Sequence, residues 1–317
     1  MESIKFVIND IAFACWDWEL SKKNIEFLKG IDSEYFAYVA NLHIMHIDDD
    51  ENKHRAALSL RLAYSHGLET LFALLCSAVQ APQCTIGWVL NYRNRNLVDL
   101  VRKISQKETV WTKFKQKNIS WNSLGVNIHT YLPYDDEKKK WIQDGFGKLW
   151  SRFANDFLDD NAIHEYNGIK HGLRIRPGGF SLAVGHEDVV GEFAKPEKMI
   201  NLGGSIFGSS YFVKEHIIPN DKSNFRPRSN SRNWSPSNIA NGLVLISMSI
   251  NNVISWLRLV NGIPLSKCPF NNPISESIFE EPWKEHVGIT NFNADLILNK
   301  EHITPFSRDE ILADYEK

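Results

Sequence analysis

The sequence predicts a mainly α-helical protein, a helical bundle with a small β-hairpin-containing insertion. Three observations carry that expectation. Apolar residues recur every three or four positions along several long segments, which is the helical period. Two stretches, residues 68–81 and 240–257, are apolar almost all round and belong in an interior. Between residues 173 and 234 glycine, β-branched and aromatic residues become frequent, which is the composition of strands and turns.

Taken in order, Asp32-Ser33 is a helix start, and that helix is expected to run to about Ile47. The acidic run Asp48-Asp49-Asp50-Glu51 suits the positive end of a second helix, ending near Gln80 before Pro82. A shorter helix is expected over 94–105, and the stretch from there to Pro133 has no decisive pattern. Asp135-Asp136-Glu137 opens the next helix, with Ile142, Phe146, Leu149, Phe153 and Phe157 at helical spacing. Asn161 caps a short helix that stops at His171-Gly172. Residues 173–184 read as two short strands joined by Pro177-Gly178-Gly179, and 205–218 as strand. Residues 220–233 read as a polar loop rich in Arg, Ser and Asn. Ser235-Pro236 opens a last long helix with proline at its first position, and Asn261-Gly262 closes it. The expected organisation is a helical core over 1–172, a β-rich insertion with a basic loop over 173–235, a central core helix over 236–262, and a surface-wrapping segment over 263–317.

Composition narrows the classes. The 317 residues are 43% apolar and 23% charged, enough to build a core without staples. The formal net charge of −2 gives no global attraction to nucleic acid or membrane, so any such contact needs a local patch. The four cysteines form no CxxC pair and read as reduced core thiols, which points to a cytoplasmic setting. The N-terminus carries Glu2, Asp10 and Asp17 and does not read as a signal peptide. Neither apolar stretch gives the roughly 20 clean residues of a membrane helix, so no membrane partner is expected. The P-loop, the dinucleotide fingerprint, the nucleophile elbow and the kinase motifs do not occur.

Two segments carry candidate chemistry. In the first, His164, Asn167 and His171 fall within about 60° on one helix face, with Gly168 beside them. Two imidazoles and an amide there suit a phosphate or carbonyl, either His suits a general base, and Lys170 and Arg174 add positive charge. The same residues also serve as an ordinary helix stop, with Gly172 as the terminal glycine and Lys170 and His171 against the helix dipole. In the second segment, Arg226, Arg228 and Arg232 alternate with Phe225 and Trp234, a composition suited to RNA or single-stranded nucleic acid, or equally to a solvated loop. His43 and His46 beside Asp48–Asp50 have divalent-metal residue types, but the acidic run already serves a helix start and His43 shares a face with Phe36 and Val39. No metal or cofactor is expected.

The segment Arg61-Leu-Ala-Tyr-Ser-His66 resembles the ribonuclease motif of HEPN proteins, which are compact helical bundles. The resemblance implies a homodimer in which Arg and His from paired protomers act on an RNA 2′-hydroxyl and its scissile phosphate without metal. Two functional readings follow. One is a non-catalytic helical binding or regulatory protein that contacts nucleic acid. The alternative is a HEPN-like, metal-independent ribonuclease of a bacterial toxin or phage-defence system, with His164 or His171 as base.

Overall fold

The computed structural model describes every residue except 117, 173, 219, 220, 222, 294, 296–298, 300–302, 316 and 317. The chain opens with strands β1 (Glu2–Ile8) and β2 (Ile11–Asp17) and helices α1 (Leu20–Gly30), α2 (Tyr35–Ile44) and α3 (Lys53–Gln80). Helices α4 (Thr85–Asn91), α5 (Asn94–Ser105), α6 (Trp121–Ile128), α7 (Asp136–Leu158) and α8 (Asp160–Lys170) follow. Then come β3 (Ile175–Pro177), β4 (Ser181–Gly185), β5 (Met199–Gly204), β6 (Gly208–His216) and β7 (Phe225–Asn233). Helix α9 (Pro236–Val260), strand β8 (Asn291–Phe292) and helix α10 (Arg308–Ala313) complete the order.

The chain divides into two compact units. The first comprises Met1–Ile163 and Pro236–His286, and the second comprises His164–Ser235 and Val287–Lys317. The first unit is built on α3 and α9, which pack on each other and on α2. Leu60, Leu71, Phe72, Trp88, Phe146, Trp150, Phe153 and Ile246 are completely buried there. Helices α3 and α9 are long and apolar enough to cross a membrane, yet 72% and 67% of their most apolar windows lie inside this unit. Helix α7 starts where a capping aspartate allows it: the Asp135 carboxylate accepts the Lys138 N–H at 2.8 Å. The first unit also buries His129. Asn252 Nδ2 donates to its Nε2 at 3.0 Å, so Nδ1 carries the proton and donates to the Gly125 carbonyl at 2.8 Å. Its ring stacks on Phe146 at 4.4 Å, and burial pushes its pKa down to about 4. The four cysteines are free thiols, and burial pushes Cys84 up to about 11 and Cys76 higher still.

The second unit carries a four-stranded antiparallel sheet in the order β3-β6-β7-β8 and a separate β4-β5 pair. Tyr211, Ile169 and Trp234 supply its apolar interior, with buried Glu165, Ser209 and Asn233 among them.

These sheets correct the expected fold class. Three sheets of two, four and two strands make a mixed α/β protein, not a mainly α bundle with one small hairpin. Three segments account for the difference. The N-terminal residues form the β1-β2 hairpin, in full register from Glu2↔Asp17 to Ile8↔Ile11. Asn9 turns it with φ 54°, which Asn tolerates, and its N–H donates to Gln80 Oε1 at 3.0 Å. Strands β3 and β4 are not partners: Gly178 and Gly179 donate to the carbonyls of Gly208 and Ile206, carrying the chain from one sheet to the next. Most of the expected polar loop is strand β7, paired with β6 from Gly208↔Asn233 to His216↔Phe225; Asn220 lies outside the described residues.

Candidate functional site

An open groove of ≈ 1180 Å³ lies in the second unit, between the end of α8 and strands β3 and β6. The way α8 ends builds it. Asn167 O accepts the His171 N–H at 3.1 Å, Gly172 takes φ 96°, and Arg174 N–H returns to Gly168 O at 2.7 Å. This left-handed terminus suits glycine and redirects the chain into β3. Gly168 lets helix and sheet approach closely: a methyl there would stand 3.0 Å from Ile175 Cγ2 and 3.8 Å from Tyr211 Cβ.

Glu165 fixes the register of helix on sheet. It is completely buried and accepts Ser209 Oγ–H and, at 2.9 Å, the Trp234 indole N–H. Arg232 Nε stands 4.0 Å from its other oxygen. A carboxylate so deep needs such donors to offset its desolvation. With Glu165 turned into the sheet, His164 and Asn167 face the groove.

The structure brings together His164, Asn167 and Arg174 in the groove lining. Lys170 and His171 do not line it: both are exposed, with Lys170 Nζ 5.3 Å from the Tyr166 ring. The second candidate set is placed differently from a loop. Arg226, Arg228 and Arg232 alternate along β7 and share the side occupied by Ser209 and Tyr211. Arg226 Nε pairs with Glu215 at 2.7 Å, Arg232 faces Glu165, and Arg228 Nε is buried without a hydrogen-bond partner among the described residues. Trp234 is 4% exposed, so its indole offers no surface for stacking a base.

The remaining motifs belong to the first unit. Arg61 is buried with its guanidinium 5.8 Å from the Tyr64 ring, whereas His66 is exposed and edge-on to Phe36 at 5.5 Å. They do not address a common point. Burial, and then His46, hold His43 below the ordinary imidazole range. Among the described residues no group of three or more His, Cys, Asp or Glu is placed to hold a metal ion.

Sequence reasoning missed Arg176, Phe212 and Lys214, which also line the groove. The sequence signal for Phe212 and Lys214 is the alternation Phe212, Lys214, His216, which puts an exposed side chain in every second position of the outer half of β6; Arg176 has no such signal. Among the described residues no Asp or Glu lines the groove. Arg174, Arg176 and Lys214 therefore make a pocket of one sign, suited to phosphate or carboxylate oxygens. Searches of protein families, characterised proteins and solved structures return no match to this chain.

Proposed function

We propose that this chain is a non-catalytic binding protein that contacts nucleic acid through phosphates held in the groove of the second unit. One observation carries the reading: Arg174, Arg176 and Lys214 all line an open groove whose described lining residues include no carboxylate. Arg forks take phosphate oxygens in pairs, and Lys supplies a point charge. The near-neutral protein gains its attraction from this local patch, so binding should follow salt steeply. Neutralising three phosphates of a single strand gives a slope of log affinity on log salt of about −2. The test is anisotropy of a labelled oligonucleotide across a salt series, with wild type beside Arg174→Ala and Arg176→Ala. Each substitution should weaken binding and reduce the slope by about 1 or slightly less. Equal affinities and equal slopes would remove the reading.

A second reading is favoured by one placement: His164 and Asn167 line the same groove as the cations. A metal-independent ribonuclease of the HEPN-like kind proposed from the sequence would use His164 as general base there. RNA cleavage in EDTA by wild type, lost in His164→Ala, would favour it over simple binding.

A further inference from the structure

We infer that the nucleic acid bound by the second unit is single-stranded, with an unpaired base stacked on Phe212 and its neighbour seated toward Phe225. This rests on the groove reading above and names the class of strand that the groove takes. The sheet has two unlike sides. Ser209, Tyr211, Arg226 and Arg232 share the side turned to Glu165, while directly paired residues Ser210, Phe212 and Lys214 opposite Ser231, Ser229 and Pro227 share the other. On that second side Phe212 is 72% exposed and Phe225 is 50% exposed.

Two exposed aromatic rings on one side of the same strand pair are an apolar surface rather than a lone exposed residue, and such a surface marks a contact site. The face says which kind. Arg176 pairs opposite Ser210, and Lys214 Nζ lies 4.4 Å from the centre of the Phe225 ring. None of its described strand residues is Asp or Glu. The carboxylate of Asp295 that approaches β7 is engaged by the Ser229 N–H at 2.7 Å. Aromatic rings interleaved with cations attract a strand whose bases have free faces and whose backbone is anionic. A duplex hides those faces, and its bases cannot reach Phe212. The groove also lines Phe212 and Lys214, so the phosphate path and the stacking side meet at β6.

The experiment compares three probes on the intact protein: a single strand carrying 2-aminopurine, an abasic strand with the same number of phosphates, and a duplex. The base-bearing strand should bind about 10-fold or more tighter than the abasic strand, and 2-aminopurine fluorescence should be quenched on binding. Phe212→Ala should weaken the base-bearing strand far more than the abasic strand, so that the advantage disappears, and Phe212→Tyr should restore it. Phe212 is exposed, so these variants leave the fold intact. If base-bearing and abasic strands bind alike, or the duplex binds as well as the single strand, stacking is overturned while the groove reading stands. If no probe binds, both fall together.

Discussion

The two units hold themselves together by different physics. The first buries Trp88, Trp150, Phe72, Phe146 and Phe153 completely, and its one deeply buried imidazole, His129, is kept neutral. Most of its cohesion scales with the apolar area it buries. The second unit has few such residues and instead centres on Glu165, with Ser209, Trp234 and Arg232 turned to it. Its geometry depends on individual hydrogen bonds, which is what a unit needs if it is to present side chains at fixed spacing.

Glu165→Ala should break this contrast most severely. It leaves the Ser209 hydroxyl and the Trp234 indole N–H without their acceptor and removes the carboxylate that faces Arg232, and a loss of about 3–5 kcal/mol is expected. Hydrogen exchange in β6 and β7 should rise steeply while α3 and α9 keep their protection. Uniform exchange across both units would mean that they do not differ in this way.

The pH response should separate them next. His129 titrates near 6.5 when unfolded and near 4 when folded, so its neutral burial stabilises the first unit above pH 6.5. That stability falls away as pH drops from 6.5 to 4, by about 3 kcal/mol in total. Urea titrations at stepped pH should show a shallower acid slope in His129→Gln than in wild type; parallel slopes would contradict the assignment.

Gly168→Ala tests how tightly α8 meets the sheet. The added methyl would stand 3.0 Å from Ile175 Cγ2, and a cost of about 1–3 kcal/mol is expected. The groove should lose affinity along with stability, read by the same anisotropy assay. The smallest effect should come from Lys22→Ala, whose ion pair with Glu19 is exposed at both ends. Its change in melting should correspond to no more than about 0.5 kcal/mol.

The longer helices α3, α7 and α9 were legible because their signals are local, whereas α1, α4 and α6 were not read from the sequence. Asp135 does cap α7, Pro236 does open α9, and the spacing of Ile142, Phe146 and Leu149 puts all three in the core. Strand β7 was not legible because its alternation runs among polar residues. Arg226, Arg228, Asn230 and Arg232 take one side and Phe225, Pro227, Ser229 and Ser231 the other, so a rule that looks for apolar alternation sees a loop. The candidate site divides the same way. His164 and Asn167 share a helix face and could be placed together from spacing alone. Arg176, Phe212 and Lys214 come together only through the pairing of β3 with β6, which joins residues distant in the chain.

Among the described residues, strand β6 is paired on the β7 side alone from Phe212 to His216, because β3 begins at Ile175, opposite Tyr211. Such an edge is a template on which another copy of the same strand can be laid, and then another. Lys214 sits in the middle of it, and a buried ammonium is a poor neighbour for an incoming strand. Replacing it with valine would suit the strand and cost the protein its colloidal stability, with light scattering rising on concentration well before any change in melting. The lysine turned toward the groove is therefore also the residue that stops the sheet from growing.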